Sequence, residues 1–151
     1  MTSKRMRGFT LIELVVVITI LGILAAFAVP KFITLDTTAR IATINGLAGS
    51  VRSAASLARG MAMASQATAT VMMENTQVNL VNSYPDATAN GINAALNMST
   101  GTTDFTFTPG AAAGGSQAVW AKVGAPGACT VAYTSATTTA TPLVTVATGG
   151  C

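Results

Sequence analysis

The chain has 151 residues, half of them hydrophobic, and only 13 charged side chains and no histidine. That is enough chain for one domain with a core plus a membrane-type segment. The sparse charge argues against a freely diffusing cytosolic enzyme. Without histidine there is no Ser-His-Asp triad, no Cys-His pair and no His-ligated zinc.

The formal charge of +3 is concentrated at the front. Lys4, Arg5 and Arg7 precede Phe9; beyond it, five basic residues (Lys31, Arg40, Arg52, Arg59, Lys122) balance five acidic ones (Glu13, Asp36, Glu74, Asp86, Asp104). No Lys/Arg run survives past residue 7, so no phosphate-neutralising patch and no nucleic-acid partner are expected.

Phe9 to Val29 reads FTLIELVVVITILGILAAFAV, 21 residues whose only charge is Glu13. As a helix it is roughly 32 Å long, enough to cross a bilayer core. The preceding basic cluster keeps the N-terminus cytoplasmic and the C-terminal bulk outside. The same pattern, followed by Ala26-Phe27-Ala28, also imitates a secretory signal removed before Val29. Glu13 separates the two readings: a carboxylate in apolar surroundings needs a cationic partner, and a disposable signal has no use for it. If the chain began at Phe9, its α-amino group would lie on the order of 6 Å along the helix axis from Glu13. A neighbouring copy could supply the same amine.

The run Lys4-Arg5-Met6-Arg7-Gly8-Phe9-Thr10-Leu11-Ile12-Glu13-Leu14 resembles the class III prepilin leader and the start of type IV pilins, with similarity continuing through Val15 to Pro30 and more loosely to about Arg59. The resemblance implies a leader at 1–8, cleavage after Gly8 by a prepilin peptidase and N-methylation of Phe9. It also makes Glu13 the residue that pairs with a neighbour's N-terminus during assembly. The implied product is a homo-oligomeric helical filament, built by dedicated assembly machinery from subunits held in the inner membrane and displayed outside the cell. The VVVITILGILA helix and the YPDATANGI segment are most similar to mannose-sensitive haemagglutinin (MSHA) pilins.

Residues 9–30 are accordingly read as the membrane and filament-core helix, and 31–151 as an amphipathic helix plus a head. Pro30 should kink or loosen the helix, since it lacks a donor and clashes with the preceding turn. Ile44, Leu47, Ala48, Val51, Ala54, Ala55 and Ala58 then recur at spacings of three and four, one face of an amphipathic helix. Arg52 and Arg59 point away from that stripe, as solvated or intersubunit charges. Met61, Met63, Met72 and Met73 are read as core filling rather than a soft-metal site.

From about Ser65 the composition turns to Thr, Asn, Gly and Ala. Thr70 to Met73 and Gln77 to Val81 form a predicted hairpin, and Tyr84-Pro85-Asp86 breaks the chain. A short helix is expected over Thr88 to Asn97 with Asn90 as a possible cap. Further strands are expected at Asp104–Thr108, Ala118–Val123, Thr130–Tyr133 and Leu143–Ala147. Together they predict an antiparallel sheet of four to six strands on the second half of the long helix. That is an α+β head, the type IV pilin fold by resemblance. Trp120 with Phe105 or Phe107 fills the interface, although a sugar-stacking role for Trp120 is a second possibility.

Cys129 and Cys151 allow a single intramolecular bridge, closing 23 residues that are rich in threonine and poor in core formers, so that the bridge is the loop's staple. It implies an oxidising compartment. By resemblance, Cys129 to Cys151 is the candidate surface-recognition region. No P-loop, GxGxxG or CxxC occurs, no acidic cluster has calcium-loop spacing, and no carboxylate side chain follows Asp104, so no cofactor, metal or catalysis is expected. The missing carboxylates also weigh against the runner-up, a pseudopilin of type II secretion, whose relatives typically hold calcium in an acidic C-terminal loop. A soluble product cleaved after Ala28 and a minor, priming pilin complete the alternatives.

Overall fold

The computed structural model describes residues 9–99 and 104–151. Gly8 and the rest of the expected leader lie outside them. The chain divides into two units, Met1–Thr37 and Thr38–Cys151. Helix α1, Leu11–Ser65, contributes residues to both.

In the first unit, Thr10 precedes the helix and Leu14 makes its first backbone bond, to the Thr10 carbonyl. The apolar side chains that follow are exposed around the whole helix, from Phe9 at 84% to Phe27 at 76% and Phe32 at 69%. A helix apolar on every side needs lipid or other protein around it. Its polar residues are quieted locally: the Thr19 hydroxyl donates to the Val16 carbonyl at 2.8 Å and Thr34 to Lys31 at 2.9 Å. This removes donors that would otherwise be costly in an apolar medium. The helix is continuous through Gly22 and Pro30. Pro30 lies inside it and removes one backbone donor.

In the second unit the apolar stripe is buried as its spacing predicts. Ile44, Leu47, Ala48, Val51 and Ala55 enter one core, and Ala58 and Ala62 a smaller second one. The alanines keep the helix surface low, so strands approach closely. Those strands form two antiparallel sheets rather than the single one expected. The first contains β1 (Thr70–Met73), β2 (Thr76–Val81) and β3 (Tyr84–Pro85). Its turns, Glu74-Asn75 and Asn82-Ser83, each have two residues at positive φ. Two-residue turns with both φ positive match the twist of a hairpin and favour asparagine. The Asn82-Ser83 turn explains the unexpected β3: Tyr84 and Pro85 fold back to pair with Val81 and Leu80.

The second sheet is a meander of β4 (Phe105–Thr108), β5 (Gln117–Lys122), β6 (Thr130–Thr134) and β7 (Leu143–Ala147). Pairing aligns Phe107, Trp120, Val131 and Val146 in one row across it, and Ala118, Tyr133 and Val144 in another. Alternate residues of each strand share a face, so these rows meet the helix stripe in the larger core.

Four expectations change. The segment after β3 is a π-type turn, Ala89–Asn93, entered through Thr88, so Asn90 is not its cap. Of the four methionines only Met73 is core; Met61, Met63 and Met72 are 37%, 64% and 56% exposed. Arg52 and Arg59 are not merely solvated. Arg52 donates to the Val144 carbonyl at 3.3 Å, and Arg59 to the Tyr84 hydroxyl while lying over its ring. Finally, the Cys129–Cys151 loop is not held by its bridge alone, since β6 is an inner strand whose Val131 and Tyr133 are fully buried.

Candidate functional site

Two places hold the residues that the sequence singles out. The first is the N-terminal turn of α1. Thr10 donates to Glu13 Oε2 through both its backbone N–H, at 2.9 Å, and its hydroxyl, at 2.8 Å. The Glu13 N–H returns a bond to the Thr10 hydroxyl at 3.3 Å. This is a capping box, in which two residues three apart satisfy each other's otherwise orphaned N–H groups. The Thr-x-x-Glu spacing is its sequence signal. The carboxylate thus has a local role in the single chain, holding the first turn beside Phe9. Phe9, Ile12, Glu13, Val16 and Val17 line a groove of about 370 Å³ there. It is apolar apart from the carboxylate.

The second place is the head around the bridge. Cys129 and Cys151 are joined, with Cα atoms 4.7 Å apart. Backbone bonds run alongside, from Gly127 N–H to the Gly150 carbonyl at 3.1 Å and from Gly150 N–H to the Ala128 carbonyl at 2.9 Å. Gly150 is needed here, because a Cβ would collide with the backbone of Gly127 and Ala128. Arg40 donates to the Gly124 carbonyl at 2.8 Å and to the Cys151 carbonyl at 3.4 Å, tying α1 to both arms of this junction.

Residues that sequence reasoning overlooked hold the head together from within. Asn93, on the π-type turn, is buried; it receives the Trp120 indole N–H at 3.2 Å and donates to the Met98 carbonyl at 2.7 Å. Trp120 is fully buried and packs on Phe107 with ring centroids 5.0 Å apart, which removes the sugar-stacking role. Asp86, also buried, accepts the Thr88 N–H at 2.9 Å and hydroxyl. Tyr133 donates to the Pro85 carbonyl at 2.7 Å. Burial, reinforced by the negative charge of Asp86, pushes the Tyr133 phenol well above its ordinary value. Every polar atom in YPDATANGIN that turns inward is therefore used for architecture. Among the described residues, no group of three or more metal-ligating His, Cys, Asp or Glu side chains comes together.

Residues 3–29 match the family model for the prokaryotic N-terminal methylation motif. The front of the chain is that motif. It covers residues 3–8 of the expected leader, Phe9, the capping box and the apolar helix as far as Val29. The chain is 52% identical over 54 residues to the type IV narrow pilus major component PilA5 of Thermus thermophilus, covering 36% of this chain and 47% of that protein. It is 64% identical over 31 residues to the type IV major pilin protein PilA of Myxococcus xanthus, covering 20% of this chain and 14% of that protein. The chain thus matches less than half the length of either relative. No solved structure gives a significant match. Behind the motif, antiparallel sheets pack on the second half of the long helix, an α+β architecture.

Proposed function

We propose that this chain is the precursor of a major type IV pilus subunit, a structural protein without catalytic activity. The observation that carries the reading is a helix apolar on all its sides, headed by the methylation motif and built to be enclosed by something other than its own chain. Prepilin peptidase cuts after Gly8 and the new N-terminus, Phe9, is methylated. Residues 9–30 wait in the inner membrane with the N-terminus cytoplasmic. Assembly machinery then transfers them into a bundle of like helices in an extracellular filament. Lipid already satisfies apolar surface, so the gain on assembly must come from close packing and from Glu13. Its carboxylate, held in place by Thr10, receives the α-amino group of an adjacent copy in the groove beside Phe9. The names of the two relatives support the pilus assignment.

The VVVITILGILA and YPDATANGI segments support the narrower placement with MSHA-type pilins, and with it a role in attachment. In that role the Cys129–Cys151 loop is the surface-recognition region.

Mass spectrometry of the exported chain tests the reading: it should begin at N-methylated Phe9. A product beginning at Val29 would overturn it. Material sheared from cells should contain the chain in long filaments, whereas short periplasmic assemblies alone would indicate the secretion apparatus. Glu13→Gln should leave export and processing intact and greatly reduce incorporation into filaments. Normal piliation in that strain would mean the carboxylate has no part in assembly.

A further inference from the structure

A polar groove of about 370 Å³ opens on the head, lined by Arg59 of α1, Asn82 and Tyr84 from the β2–β3 hairpin, and the turn 137–141 between β6 and β7. No stretch of sequence contains it; the fold gathers it from three segments. We infer that this groove binds a carboxylate-bearing saccharide, a uronate-type sugar, with Arg59 reading the carboxylate and the threonine turn reading the ring hydroxyls.

Arg59 is placed for such a task. Its guanidinium lies 4.7 Å from the centroid of the Tyr84 ring and donates one N–H to the Tyr84 hydroxyl. Stacking occupies the face of the plane and leaves N–H groups along its edge, and a planar guanidinium edge matches a planar carboxylate. Among the described residues no carboxylate lies within ion-pair distance of it. Of the three acidic side chains of the head, Asp86 is buried and bonded to Thr88, Asp104 pairs with Lys122 at 3.0 Å, and Glu74 sits in the β1–β2 turn. Arg59 therefore carries a charge with no anionic partner among the described residues, with its guanidinium stacked over the Tyr84 ring.

The opposite wall suits hydroxyl groups. The Thr137 hydroxyl accepts the Ala140 N–H at 3.0 Å and the Thr139 N–H at 3.3 Å, which holds the turn in shape and leaves Thr138 and Thr141 exposed. Asn82 donates its amide to the Ala136 carbonyl at 2.9 Å and keeps its Oδ1 as an acceptor. Hydroxyls that both donate and accept, beside an amide acceptor, are complementary to sugar hydroxyls. The volume falls within the usual range for small-ligand sites.

This deepens the surface-recognition role proposed for the Cys129–Cys151 loop and rests on it for its place in the cell, but binding needs only the chain. Trigalacturonate and neutral trigalactose should be titrated into the full chain in detergent micelles, by calorimetry and ligand-observed NMR. Trigalacturonate should bind and trigalactose should not. Arg59→Gln should weaken binding roughly tenfold or more, as expected for loss of a charged hydrogen-bond partner. Thr141→Glu, an exposed change that places a competing carboxylate in the groove, should do the same, with circular dichroism unchanged. Equal binding of the two sugars, unchanged binding in both variants, or equally effective competition by the non-sugar tricarboxylate tricarballylate would overturn the inference. Filament formation is scored separately: a chain that binds trigalacturonate but never assembles defeats the pilus reading alone, and a piliated strain whose chain ignores the sugar defeats this one.

Discussion

The two units solve opposite problems with the same kind of residue. Between Phe9 and Phe32 the helix carries Leu, Ile, Val and Phe on every side and leaves them exposed. From Ile44 to Ala62 the same helix gathers most of its apolar residues into one stripe, made largely of alanine and covered by two sheets, and leaves Leu57 and Met61 exposed. The first region is unfinished until other molecules surround it; the second is complete by itself. Hydrophobic content alone does not distinguish them. What does is whether polar residues are distributed so that one face can stay in water.

This contrast breaks most readily in the head. Trp120→Ala removes the largest buried side chain and leaves Asn93 Oδ1 without its donor, so the head should lose about 3–5 kcal/mol, measured by calorimetry of the chain in micelles. Leu24→Ala in the exposed helix should leave that melt unchanged while lowering filament yield. Equal sensitivity of the melt to both would mean the two units are not independent.

Cys151→Ser should cost about 3 kcal/mol through the freed loop, and a smaller loss would show how far β6 already holds that segment. Gly91→Ala drives a Cβ into the Asp86 side chain and carbonyl; about 1–3 kcal/mol is expected for such overpacking, again in the head's melt alone.

Tyr133 yields a test by pH. Its folded-state pKa is raised, so the folded head holds the phenolic proton more tightly than the unfolded chain. Stability from this group is complete below the unfolded value near 10 and should fall above it by about 1.4 kcal/mol per pH unit. Tyr133→Phe should abolish that alkaline slope, and a slope that persists would place its origin elsewhere. The smallest effect belongs to Thr10→Val, which removes the cap of α1 at a cost of about 1 kcal/mol. It should speed amide exchange in the first turn and leave the head's melt untouched.

The helix was legible because its signals are local: an apolar run and a three-and-four stripe both act within a few residues. The hairpin and the four strands of the larger sheet were legible for the same reason, through alternation and turn residues. β3 was not, since Tyr84 and Pro85 become a strand only because two positive-φ residues return them to β2. The exposure of Met61, Met63 and Met72 depends on which faces the cores close over: Ala58 and Ala62 turn inward on α1, and Val71 and Met73 on β1, so the methionines beside them face outward. Asn93 and Arg59 were missed for a common reason: their partners Trp120 and Tyr84 lie 27 and 25 residues away.

By itself the sequence determined where the apolar rod lies, which carboxylate begins it, which helix face must be covered and that the two cysteines have only each other. The tertiary structure alone decided that the strands divide into two sheets, that Trp120 is sealed against Asn93, and that Arg59, Asn82 and the 137–141 turn share one groove. Backbone propensity and hydrophobic periodicity act between near neighbours, so they are written along the chain. Burial, and the pairing of polar groups that burial forces, depend on which distant segments meet, and that is settled only when the cores close.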